Sequence, residues 1–140
     1  MHTVKDVAKL LGLTEHTIRY YTDKGLVPNV QRDKNNNRLF NDENINFLIG
    51  AKNLKKCGMS VDEIKYYVDL CLEGDSTIQE RYEIILTQKE AALAQLEEAK
   101  QRADFMIKKE LHYRDILNKI IPDDTNPAKW VKDKLPTTHS

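Results

Sequence analysis

From Ile78 to Ile120 every seventh residue is apolar: Ile78, Ile85, Ala92, Ala99, Met106, Tyr113 and Ile120. Four residues after each of the first six stands a second series: Tyr82, Lys89, Leu96, Ala103, Glu110 and Leu117. Leu86, Leu93, Ile107 and Ile121 widen the stripe. Seven-residue spacing sustained this long argues for a coiled coil. It predicts a single helix of about 45 residues, roughly 65 Å long, over residues 75–121. Such a helix cannot bury its own stripe. The spacing therefore predicts a homodimer sealed by Ile78, Tyr82, Ile85, Ala92, Leu96, Ala99, Ala103, Met106 and Tyr113. Ala92, Ala99 and Ala103 would let two backbones approach closely. Lys89 and Glu110, near opposite ends of the seam, fit an antiparallel pairing in which they meet across the partner. The alternative is that both snorkel at the rim.

Residues 1–74 read differently, as short elements joined by tight turns. Thr3 caps a first helix, with Asp6 three residues on as a variant of the capping box. Val4, Val7, Ala8 and Leu11 follow helical spacing, and Gly12 ends the element. Thr14 caps a second helix of about ten residues, closed by Gly25 and kept closed by Pro28. Ile18 and Tyr21 take its inner side, which leaves His16, Thr17, Arg19 and Tyr20 outward. Two short helices so tightly linked form a helix-turn-helix pattern. Hydroxyl, imidazole, guanidinium and phenol groups on so short a helix suit a DNA groove better than a core.

Val27 to Arg32 and Arg38 to Phe40 are short extended segments around Asp33-Lys-Asn-Asn-Asn37. Asparagine tolerates positive φ better than other non-glycine residues, so this is turn chemistry. The segment reads as a β-hairpin, or wing, carrying Arg32, Lys34 and Arg38. The bland reading is a solvated loop; the functional one is phosphate contact, which gives affinity and salt dependence. A third helix begins at Asn41 to Asn44 and ends at Gly58, with Ile45, Leu48, Ile49 and Leu54 on its apolar face. Ser60 and Glu63 make a capping box for a fourth, carrying Ile64, Tyr67, Val68, Leu70 and Cys71 to about Glu73. Lys52, Lys55 and Lys56 are either a solvated face or flank a DNA backbone. Residues 122–140 form a tail: a linker from Pro122 to Pro127, then a short amphipathic stretch in which Trp130, Val131 and Leu135 would dock.

Charge placement agrees with this division. The 140-residue chain has net charge zero, but residues 1–40 carry seven Lys/Arg against four Asp/Glu. A positive front end on a neutral chain points to local contact with nucleic acid. No secretory leader opens the sequence and no apolar run approaches about 20 residues, so a cytoplasmic protein without membrane contact is expected. Cys57 and Cys71 are then expected to be reduced. No Gly-rich phosphate loop, nucleophile elbow or paired His/carboxylate motif is present, which argues against an enzyme. The remaining rival is a protein-interaction scaffold that keeps the helix-turn-helix and coiled coil without specific DNA binding.

Several motifs in order resemble the MerR family of bacterial transcription regulators. They are Val4-Lys-Asp-Val-Ala8, Leu13-Thr-x-x-Thr-Ile-Arg-Tyr-Tyr21, Lys24-Gly-Leu-Val-Pro28, Arg38-Leu-Phe40 and Gly58-Met-Ser60. The resemblance covers about residues 2–121. It implies a mainly α fold: a winged helix-turn-helix DNA-binding domain (1–74), then a long antiparallel coiled-coil dimerisation helix (75–121). It further implies a dimer on a near-palindromic, inverted-repeat operator in double-stranded DNA, which bends and untwists the promoter spacer for RNA polymerase. Carried over by position, Thr14, Thr17, Arg19 and Tyr20 belong to the recognition helix. Lys5, Arg32 and Arg38, with Lys34 beside them, would contact phosphate, and His16 would tune operator choice.

The resemblance also bears on what is sensed. Metal-sensing members use cysteines near the far end of the coiled coil, and none follows Cys71 here. No metal site or cofactor is therefore expected, nor is there room for the large drug-binding domain of other members. Glu73-Gly-Asp-Ser-Thr-Ile78 resembles the short branch that responds to aldehydes and related electrophiles. That branch implicates a cysteine in the third helix, at the position of Asn53 here. Cys57 and Cys71 are candidate sensors on that reading. On the other they are small buried residues, as cysteine often is. The small-molecule effector, and whether transcription is activated or repressed, stay open.

Overall fold

Local capping signals set the helix starts in the first part of the chain. The computed structural model describes residues 1–130. Helix α1, Val4–Leu11, begins with a complete capping box. The Asp6 amide donates to the Thr3 hydroxyl (3.1 Å) and the Thr3 amide to the Asp6 carboxylate (3.2 Å). That amide bond is the main cause holding the Asp6 carboxyl below its ordinary value. Gly12 closes α1 in the left-handed region, φ +66°, a conformation that costs L-residues with a Cβ. Two residues later Thr14 caps helix α2, Glu15–Asp23. Gly25, φ +78°, ends that element, with the Leu26 amide returning to the Tyr21 carbonyl at 3.0 Å.

Strands β1 (His2–Thr3), β2 (Gln31–Arg32) and β3 (Arg38–Phe40) form a small antiparallel sheet in the order β1-β3-β2. Gln31 pairs with Leu39 and Arg32 with Arg38, as the hairpin reading expects. Strand β1 was not legible from sequence: two residues carry no period, and His2 and Thr3 pair with Phe40 and Leu39 only through tertiary contact. Helices α3, Asp42–Lys56, and α4, Val61–Glu73, follow, each with a capping box. Val7, Ile18, Leu26, Phe40, Leu48, Met59 and Ile64 are fully buried and join the four helices and β3 in one core. Burying a side chain of this size contributes about 1.5–3 kcal/mol. On α3 the inner face is Ile45, Leu48 and Ala51, while Ile49 is exposed.

The long helix differs from expectation at both ends. Asp75–Thr77 is a separate 3-10 turn, and α5 runs Ile78–Leu117, 40 residues. The expected span of 75–121 is therefore too long, and Ile120 and Ile121 lie beyond the helix. Lys119 turns left-handed, φ +57°, and the Ile120 amide donates back to the Asp115 carbonyl at 2.9 Å. Pro122 disfavours helical backbone at Ile121, and the left-handed turn at Lys119 ends the helix before that point. Heptad spacing alone does not report that. No residue of α5 is buried.

The chain divides into two units between Glu90 and Ala91. In the second unit the segment after α5 folds locally. His112 Nε2 lies 2.6 Å from the Asp124 carboxylate, and the Trp130 indole N–H donates to the Asp124 carbonyl at 3.0 Å. Pro127–Lys129 is one 3-10 turn. Trp130 is exposed, so it holds a turn instead of anchoring a core. The proposed docking of Val131 and Leu135 lies outside the described residues.

Candidate nucleic-acid interface

Helix α2 displays a polar face because only Ile18 and Tyr21 of its residues are buried. His16, Arg19 and Tyr20 are exposed. Arg19 reaches back one turn to Glu15 at 3.2 Å, both side chains about half exposed. Such a surface pair is worth little and exchanges readily for another anion. Lys24 Nζ sits 5.7 Å from the centre of the Tyr20 ring, a cation–π contact that steadies the phenol. Thr14 makes the cap that the sequence reading expected, and Thr17 is less free than that reading expected. The Thr14 hydroxyl accepts the Thr17 amide (3.0 Å) and bonds the Thr17 hydroxyl (2.8 Å). Thr14 is thus committed to capping and Thr17 is half-buried.

The wing is ordered by one carboxylate. Asp33 Oδ1 accepts the amides of Asn35 (2.9 Å) and Asn37 (2.8 Å), and its own amide donates to the Asn37 carbonyl (2.9 Å). Asn36 takes the left-handed position at φ +64°, the role a glycine would otherwise fill. The Asn37 amide is the main cause that holds the Asp33 carboxyl below its ordinary value. Arg32 Nη1 donates to the Asn36 carbonyl at 2.9 Å, which lays its guanidinium along the hairpin. Lys34 is exposed near the tip.

Arg38 departs from the expected exposed position. Its side chain is only 15% exposed, and Nη2 donates to Asp23 Oδ1 at 2.6 Å. This pair ties β3 to the last residue of α2, so Arg38 braces the wing against the helix. Its Nε is buried without an acceptor among the described residues. Lys52 likewise turns inward, its ammonium donating to the Leu11 carbonyl at the end of α1. That removes it from the group of three lysines considered for backbone contact, while Lys55 and Lys56 stay exposed. Lys5 is exposed on α1. Asn44 is a residue whose second task sequence reading missed: buried, its side chain accepts the Asn41 amide (2.9 Å) in the α3 capping box and donates to the Pro28 carbonyl at 2.7 Å.

Cys57 and Cys71 are both free thiols. The reading that both are buried fails for Cys57, which is exposed because it is the C-cap of α3. Cys71 is half-buried and lines a cavity of about 280 Å³ with Phe47, Leu54 and Tyr67. Burial, followed by the neighbouring Cys71 thiol, raises the Tyr67 phenol. Among the described residues no cluster of three or more His, Cys, Asp or Glu side chains is arranged to hold a metal ion. None of their helices is long and apolar enough to cross a membrane.

Residues 2–70 match the model of the MerR HTH family regulatory proteins. An HTH-type transcriptional regulator of Haemophilus influenzae is 34% identical over 105 residues, covering 75% of this chain and 78% of that protein. A solved MerR-family regulator lacking the sensor domain, HiNmlR, bound to promoter DNA, is 32% identical with a TM-score of 0.77, covering 84% of this chain and 93% of that one. The chain belongs to the MerR family.

A further relative, the HTH-type transcriptional regulator AdhR of Bacillus subtilis, is 33% identical over 62% of each chain. These similarities place the MerR-type chain with HiNmlR, a MerR-family regulator, and AdhR, an HTH-type transcriptional regulator. The family match ends inside α4. The likeness to HiNmlR, covering 84% of this chain, extends further.

Proposed function

We propose that this MerR-type regulator acts as a homodimer on an inverted-repeat operator within a promoter. Each copy would lay α2 in a major groove, with His16, Thr17, Arg19 and Tyr20 toward base edges. Lys5, Arg32 and Lys34 would bind flanking phosphates, and Arg38 would hold the wing at its working angle. The observation that carries this reading is the exposed His16–Arg19–Tyr20 face of α2, tied to an ordered basic hairpin by the Arg38–Asp23 pair. The DNA-bound state of HiNmlR supports it.

Bending and untwisting the promoter spacer costs on the order of 1–6 kcal/mol for a substantial bend. A dimer that prefers the distorted form presents the promoter to RNA polymerase in a different register. A small-molecule effector would shift which DNA shape the dimer prefers. If that effector is an electrophile, the accessible thiol is Cys57 and the more sheltered one Cys71.

Gel shifts with random duplex DNA at low and moderate salt test the DNA-binding step. The regulator reading predicts binding at low salt that weakens steeply as salt rises, since phosphate contacts release counterions. Absence of binding even at low salt would favour the interaction-scaffold reading.

A further inference from the structure

A cavity of about 510 Å³ lies between the start of α4 and the start of α5. Its apolar lining is Ile84, which packs against the core, and the buried Met59. The Tyr66 ring borders it, and the Tyr66 hydroxyl donates to the Glu80 carboxylate at 2.7 Å. Asp62 and Glu63 line it from α4, Glu80 and Glu83 from α5, and among the described residues no lysine or arginine does. We infer that this cavity binds a linear aliphatic amine carrying two or more positive charges. The ammonium groups pair with carboxylates of both helices, while the methylenes lie against Ile84 and the Tyr66 ring. On the regulator reading above, that amine is the effector.

The carboxylates call for separated charge on the ligand. Four line one cavity, yet among the described residues no three acidic, His or Cys side chains converge to hold a metal ion. A point cation would leave part of this negative charge unpaired, and amines spaced along a chain would not. The charge is felt locally: the hydrogen bond to Glu80, then burial, then the Glu80 and Glu73 carboxylates raise the Tyr66 phenol. Glu63 is fixed in its ionised form. Its carboxylate accepts the Ser60 amide at 3.0 Å, the main cause that holds it below its ordinary value. Tyr66 is the single ring among the described lining residues, so a flat aromatic cation would have a stacking partner on one face only. An aliphatic spacer needs no second ring. The volume falls within the range of small-molecule sites, about 300–1,000 Å³.

The site stays open in the proposed dimer. At 3.6 residues per turn, Glu80, Glu83, Ile84 and Thr87 centre about 180° around α5 from the seam residues Ile78, Tyr82, Ile85 and Lys89. A partner helix on that seam leaves this face uncovered. The walls are also set before a ligand arrives. The buried Thr77 hydroxyl donates to the Leu70 carbonyl at 2.5 Å. Arg81 donates to Thr77 Oγ1 and to the Gly74 carbonyl, each at 3.0 Å. These bonds hold the end of α4 to the start of α5, so little ordering opposes binding. An occupant that bridges α4 and α5 stabilises this setting of the elbow over others, the differential contact that an effector needs.

Isothermal titration of the full chain with spermidine, in the absence of DNA, tests the site. One saturable site per chain is expected, weakened about 2- to 30-fold in E80Q/E83Q by the loss of two exposed ion pairs. Both glutamates are exposed, so the variant should keep the helical circular dichroism of the parent. Butylamine, with one charge, should bind more weakly than spermidine, and equimolar Mg²⁺ should not displace spermidine. No saturable binding at millimolar spermidine, equal affinity in the folded variant, or displacement by equimolar Mg²⁺ would overturn the site. The effector role is tested by affinity for a duplex selected from a random library, with and without spermidine. Parent and variant share whatever spermidine does to the DNA itself, so the parent should shift more. Equal shifts would overturn the effector role. A chain that titrates with spermidine but binds no duplex would overturn the regulator reading, and the effector role with it, and leave the site standing.

Discussion

Arg19 sits on the exposed face of α2, paired with Glu15, so little would be lost in the proposed turn to a base edge. Arg19→Ala should weaken binding to a specific site by about 1–3 kcal/mol, roughly 5- to 150-fold, and relax preference at one position of each half-site. Unchanged affinity and base preference in a binding titration would remove Arg19 from the interface. Asp33 makes a different, pH-dependent claim. Its folded carboxyl is held below the ordinary aspartate value, chiefly by the Asn37 amide. The group therefore stabilises the wing above its unfolded pKa and loses that contribution as pH falls through the lower folded value. Protection of the Asn35 and Asn37 amides, measured against their intrinsic exchange rates, should hold through pH 5 and fall only as the pH passes below the ordinary aspartate range. Asp33→Ala should lower it at neutral pH, and equal protection in that variant would mean the asparagines alone make the turn.

At the scale of elements, Gly25 shows how backbone conformation closes helix α2. Its φ of +78° is unfavourable for a residue with a Cβ, and a Cβ there would stand 2.8 Å from Lys65 Cε. The lysine end can move, so backbone conformation dominates. Gly25→Ala should cost about 1–2 kcal/mol in urea unfolding, and the same loss should appear in a Lys65→Ala background. Disappearance of the loss there would make the contact, and not the conformation, the cause. Elements with a local signature were legible in the sequence: the capping boxes at Thr3 and Ser60, the Thr14 cap, the asparagine turn and the heptad stripe. Features made by distant residues were not. Strand β1, the inward turn of Lys52 to Leu11, and the covering of Arg38 by Asp23 all depend on tertiary placement. The side of Ile49 was misread for a related reason, since the apolar residues of α3 do not lie on one clean stripe. Cys57 was left between two readings because exposure at a helix terminus has no periodic signal.

For the whole molecule, the decisive issue is whether two copies act together. In the proposed dimer the seam of α5 is the surface that joins them, and Leu96→Asp places a charge in its apolar centre. This variant should sediment as a monomer at low micromolar concentration and lose specific binding while keeping its helical content. A dimer that survives the change would move the interface elsewhere. A twofold dimer carrying one α2 per copy reads DNA with matching symmetry. Selection of bound sequences from a random duplex library tests this most directly. The account predicts enrichment of an inverted repeat, its half-sites exchanged by the dimer axis. Recovery of no enriched sequence, or of a single unrepeated site, would contradict it.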